Sequence, residues 1–85
     1  MTLLDTELRI NANQYNATTQ AVSDALLESK NRGERVTVEA TGQRREAIES
    51  ELYEACDNFN GPSRDGSLTY SGRDAHGTAW TIRLV

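Results

Sequence analysis

A chain of 85 residues with one cysteine, one proline and one tryptophan has few of the groups that announce a chemistry. Cys56 has no second thiol for an internal disulfide, and no set of Cys and His shows metal-ligand spacing. No metal and no cofactor is therefore expected, and a reducing, cytoplasmic setting is. Nowhere do about 18 apolar residues run together, and Met1-Thr-Leu-Leu-Asp-Thr-Glu has no basic stretch. This predicts neither a membrane span nor a classical secretion signal. Positive charge is also scarce: 9 Lys and Arg stand against 13 Asp and Glu, for a formal net charge of −4. That balance excludes coating of nucleic acid by bulk electrostatics, so any phosphate contact must come from a local patch.

What is present suffices for one small core. The length predicts a single domain over residues 1–85, and a chain this short buries only about 60–65% of its unfolded surface. A second copy would relieve that shortage, so a homodimer is expected.

Leu8, Ile10 and Ala12 alternate with Arg9, Asn11 and Asn13, which predicts a first strand over about 6–12. Ala21, Val22, Ala25 and Leu26 form one helical stripe after a polar stretch of N-cap types. They predict a helix over about 17–32 closed by Gly33, with Lys30 and Arg32 in its last turn. Arg35-Val-Thr-Val-Glu-Ala alternates as a second strand. The spacing of Ile48, Leu52, Ala55, Cys56 and Phe59 predicts a second helix over about 44–59. Residues 60–66 read as a loop, and Leu68/Tyr70 and Trp80/Ile82/Leu84 as a hairpin turning over 72–77.

The implied fold is α+β, a two-layer α/β sandwich in the order β-α-β-α-β-β. A four-stranded mixed sheet carries both helices on one face, because each helix has a single apolar stripe and parallel crossovers are right-handed. The other face would show Arg9, Asn11, Thr37, Glu39, Thr69, Thr81 and Arg83.

This order, with Arg35-Val-Thr-Val-Glu-Ala-Thr-Gly-Gln and the preceding Gly33, resembles the Alba superfamily of small nucleic-acid-binding proteins, which includes the stage V sporulation protein S family. Leu8-Arg-Ile-Asn-Ala-Asn and the helix opening near Ala17 match that family in pattern. The C-terminal domain of bacterial initiation factor three is similarly ordered. The resemblance spans about residues 7–85 and implies a non-enzymatic, dimeric nucleic-acid-binding domain.

The candidate site residues lie around the start of the second helix. Arg44 and Arg45 follow Gly42, where free N–H groups and the dipole favour an anion, and Thr41 and Gln43 add neutral donors. Gln14 and Tyr15 could reach a base, and Arg73 in the hairpin turn adds a cation. The bland readings are pairing of the arginines with nearby glutamates and a capping role for Tyr15. A rival function uses the acidic side of the second helix, Glu46, Glu49, Glu51, Glu54 and Asp57, to dock on a basic protein partner, as a phage-type inhibitor would. Catalysis has no constellation: Cys56 lies on an apolar stripe, far from His76, and nothing pushes the pKa values of the helix acids apart.

Overall fold

The computed structural model describes residues 7–85, and its elements follow the periodicities above with one addition. They are β1 (Arg9–Asn11), a 3-10 turn (Ala12–Gln14), α1 (Thr18–Arg32), β2 (Arg35–Glu39), α2 (Gly42–Ala55), β3 (Asn58–Asn60), β4 (Leu68–Arg73) and β5 (Ala79–Leu84). The class is α+β with a mixed sheet, as expected, but the sheet has five strands in the order β1-β2-β5-β4-β3. β1, β2 and β5 run parallel, and β5, β4 and β3 antiparallel. The predicted start of the first strand, residue 6, lies outside the described residues.

The fifth strand corrects the reading of the second helix. Its periodicity ran to Phe59, yet α2 stops at Ala55, with the Cys56 N–H closing the last turn on Leu52 O at 2.9 Å. Asp57 N–H then donates to Ser71 O at 2.8 Å, and Phe59 pairs with Tyr70. Asn58 and Asn60 are poor helix formers, and pairing with β4 takes the place of another helical turn for residues 57–60. Ala55 is accordingly exposed, and of the predicted stripe Ile48 and Leu52 carry the burial.

α1 agrees more closely. Ala21, Val22 and Ala25 are buried. Gly33 takes φ 66° and donates to Ser29 O at 2.9 Å, the left-handed closure that only glycine adopts without a Cβ penalty. The start differs: Ala17 is the N-cap and no side chain caps the helix. Ser29 faces the core, where its hydroxyl accepts from Thr81 N–H at 2.9 Å and donates to Glu34 O at 2.7 Å, tying the helix to β5 and to the start of β2.

One continuous core holds the layers together. Ile10, Val36, Val38, Tyr70, Trp80, Ile82 and Leu84 of the sheet pack with the α1 residues and with Ile48 and Leu52. Tyr70 and Trp80 are therefore core residues, as their alternation predicted. Gly72 lies opposite Trp80, and a Cβ there would come within 2.9 Å of the indole, so glycine is required by close approach. Among the described residues no helix is long and apolar enough to cross a membrane.

Candidate nucleic-acid interface

Strand register places side chains from distant parts of the chain in rows on the sheet face away from the helices. Arg9 lies beside Thr37, Thr37 beside Arg83, Arg83 beside Thr69, and Thr69 beside Asn60. A second row on the same face runs Arg35, Thr81, Ser71, Asn58. At a strand spacing of about 4.8 Å, the first row crosses the sheet in about 19 Å. The face is polar throughout, with no aromatic side chain in either row.

The arginines of β1, β2 and β5 are each held by a carboxylate. Arg9 Nε bonds Glu39 at 3.0 Å, Arg35 Nη2 bonds Glu7 at 2.9 Å, and Arg83 Nη2 bonds Asp65 at 2.6 Å. Thr37 departs from the expected open position: its side chain is buried because its hydroxyl donates to the Glu7 carboxylate, which lies over it. Burial alone would raise the Glu7 pKa, but the bonds from Arg35 and Thr37 outweigh it and hold the carboxyl below its ordinary value.

The loop after β3 folds against this face. Ser63 N–H donates to Ser67 O and Gly66 N–H to Ser63 O, both at 2.9 Å, making a compact turn. Asp65 accepts from the Ser67 amide at 3.0 Å and from its hydroxyl at 2.8 Å. These two bonds, followed by Arg83, hold its carboxyl down to about 2. Between loop and sheet lies an open cleft of about 580 Å³ lined by Arg35, Ser63, Arg64, Asp65, Ser67 and Arg83. Arg64 is exposed and has no ion pair among the described residues.

The residues singled out at the start of α2 are placed differently. Arg44 Nη1 donates to Ala12 O at 3.1 Å and Tyr15 O at 3.0 Å, joining the helix to the 3-10 turn. Arg45 pairs with Glu49 one turn on. Thr41 is the N-cap without a side-chain bond, and its N–H donates to Asn13 Oδ1 at 3.2 Å. Gln43 and Gln14 are exposed. Tyr15 packs against the core with its hydroxyl on Asp24, a bond that raises the phenol pKa. Arg73 is at the other end of the sheet, where Nη1 donates to Gly77 O at 3.1 Å across the hairpin turn.

The acidic side of α2 also separates. Glu46 and Glu54 are exposed, Glu49 is taken by Arg45, and Glu51 has one carboxylate oxygen shielded from water without a partner. Asp57 lies beyond the helix, where it accepts from Arg73 N–H at 3.2 Å. No group of His, Cys, Asp and Glu among the described residues could hold a metal ion.

Comparison with protein-family profiles, with curated proteins and with solved structures finds no match to this chain.

Sequence reasoning weighs Arg9 and Arg83 on the open face and sets Arg64 in a second patch with Arg73 and His76. Instead, Arg64 lines the cleft with Arg35 and Arg83, and Arg73 is at the hairpin end. Alternation alone signals that residues 9, 35 and 83 share a face. Their adjacency follows only from the strand order.

Proposed function

We propose that this chain is a small, non-enzymatic nucleic-acid-binding protein that lays a single strand of RNA or DNA across the open face of its sheet. The observation that carries this reading is the row Arg9, Thr37, Arg83, Thr69 and Asn60, with Arg35 and Arg64 beside it. Among the described residues four guanidinium groups face three carboxylates, Glu7, Glu39 and Asp65, which favours a locally cationic face on a chain whose net charge is −4. Guanidinium forks suit phosphate oxygens, and the asparagine amides and threonine hydroxyls supply neutral donors and acceptors for sugars and base edges. An exchange drives binding: a phosphate takes over guanidinium donors now held by the exposed carboxylates Glu39 and Asp65, which return to water, while Glu7 stays over Thr37. Such surface pairs are worth only about 0–1 kcal/mol, so exchange costs little. The likeness of residues 35–43 to the Alba superfamily supports the same class of ligand.

Fluorescence anisotropy with short RNA and DNA strands, at about 20 mM and at physiological salt, tests the reading. Binding should weaken as salt rises, and Arg83→Ala or Arg64→Ala should each raise the dissociation constant about threefold to tenfold, the effect of losing one phosphate contact of roughly 1 kcal/mol. No binding at about 20 mM salt, where the electrostatic attraction is strongest, would overturn it. The rival, docking of a basic protein on α2, would then lead, since Glu46 and Glu54 are exposed without ion pairs among the described residues.

A further inference from the structure

The cleft between the loop at residues 61–67 and the sheet concentrates the positive charge of the open face. Arg35, Arg64 and Arg83 line it with one carboxylate, Asp65, while Arg9 stands apart on β1. Among the described residues each of the three guanidinium groups has a donor left to give. Arg35 bonds Glu7 through Nε and Nη2, and Arg83 bonds Ser67 and Asp65 through the same two nitrogens, which leaves Nη1 of both. The exposed Arg64 side chain makes neither a hydrogen bond nor an ion pair there.

The loop also interrupts the path across the sheet. It leaves β3 at Asn60 and enters β4 at Leu68, so it stands on the β3–β4 side of the cleft, with Arg35 of β2 and Arg83 of β5 on the other. Its turn is bonded internally, and the Asp65–Arg83 pair ties it to β5. A nucleic-acid strand that arrives over Arg9 and Thr37 meets this wall at Arg83, where the three guanidinium groups converge. Asn60 and Thr69 lie at the foot of the loop and flank that point.

We propose that this cleft holds the terminal phosphomonoester of a nucleic-acid strand, so that the protein recognises a phosphorylated strand end. The inference rests on the open face as the strand-binding surface and adds which part of a strand it prefers. A phosphomonoester carries about −1.5 to −2 charges at pH 7 and three terminal oxygens that accept hydrogen bonds. A linking phosphodiester carries about one negative charge and has only two such oxygens. Three convergent guanidinium groups, opposed among the lining residues by Asp65 alone, suit the monoester better. Ser63, also on the lining, adds a neutral hydroxyl donor. At about 580 Å³ and open to solvent, the cleft admits the phosphate with its sugar attached.

Anisotropy in phosphate-free buffer tests it with one internally labelled short strand that carries a 5′-phosphate, a 3′-phosphate or hydroxyls at both ends. At about pH 7.5 a phosphorylated form should bind at least about tenfold more tightly than the hydroxyl form, and the end that confers the advantage fixes the strand's direction. The advantage should shrink at about pH 5.5, because the second ionisation of a phosphomonoester lies near pH 6. Asp65, held at about 2, and Glu7, held below its ordinary value, keep their charge over that interval, as arginines do. Arg64→Ala should cost the phosphorylated strand more than the hydroxyl strand and cut the advantage to about threefold or less. Arg9→Ala, at the far edge of the sheet, should weaken both alike. Equal affinity for phosphorylated and hydroxyl strands would overturn the end site and leave strand binding by the open face standing. An advantage unchanged by Arg64→Ala, or a nucleoside monophosphate bound as tightly as the phosphorylated strand, would also overturn it. Binding of no strand at all would overturn both readings together.

Discussion

Two groups of arginines in this molecule have the same side chain and opposite uses. Arg44 and Arg45 are neighbours in sequence at the start of α2, and both are spent on the protein's own groups: Arg44 joins the helix to the carbonyls of Ala12 and Tyr15, and Arg45 makes a surface pair with Glu49 one turn on. Arg9, Arg35 and Arg83 come from three strands and pair with carboxylates on the open face, Arg83 also reaching Ser67 Oγ at 3.4 Å. A guanidinium that satisfies backbone carbonyls cannot leave without uncovering them. One that pairs with a solvated carboxylate can change partner.

The contrast predicts its largest effect at Arg44. Arg44→Ala removes two charge-assisted bonds, leaving Ala12 O with the Tyr15 N–H alone and Tyr15 O without its guanidinium donor, so thermal unfolding should show a loss of about 1.5–3 kcal/mol. For a chain of this size, at about 4–8 °C per kcal/mol, that corresponds to a fall of roughly 6–24 °C in Tm. Arg45→Ala, which breaks a surface pair one helical turn apart, should cost no more than about 0.5 kcal/mol. Equal losses at the two positions would erase the distinction between a structural joint and an ordinary helix surface.

On the sheet the expected order reverses. Arg35→Glu combined with Arg83→Glu should leave the melting temperature within a few degrees of the parent while abolishing measurable strand binding at physiological salt. Arg45→Glu should weaken binding far less, because its charge is off the rows. Anisotropy and thermal melts on the same preparations check both halves. A strong binding loss at Arg45 with none at Arg83 would return the site to the start of α2.

How much of this was legible depended on how far apart the interacting residues lie. The alternation of residues 35–39 and the stop at Gly33 are local signals, and both elements formed where those signals put them. Phe59 misled because it falls three residues after Cys56, a helical interval. Its strand pairing depends on Tyr70, which helical spacing does not register. Arg44 misled for a related reason: its acceptors belong to a turn on the other side of β2, and no neighbouring residue announces them. The rows of the open face lie between these cases. Period-two alternation says which side each residue faces, but the adjacency of Arg83 to Thr37 requires β5 to insert between β2 and β4.

The smallest expected effect concerns the carboxylate that competes for Arg83. Asp65 is held at about 2, against an ordinary 3.8, by the Ser67 amide first, then the Ser67 hydroxyl and Arg83. The folded chain therefore favours the charged form, and the stability this contributes is present above the unfolded pKa and lost as pH falls towards the folded one. Any stability advantage of the parent over Asp65→Asn should stay constant from about pH 7 to 5 and shrink between about pH 4 and 2. Because Asp65 is solvent-exposed, the advantage should also decline with added salt, as a rim contact does and a buried joint does not. An advantage that persists unchanged to pH 2 would mean that Asp65 acts through the shape of its loop rather than through its charge. The arginine it holds would then be less ready to exchange partners than this comparison requires.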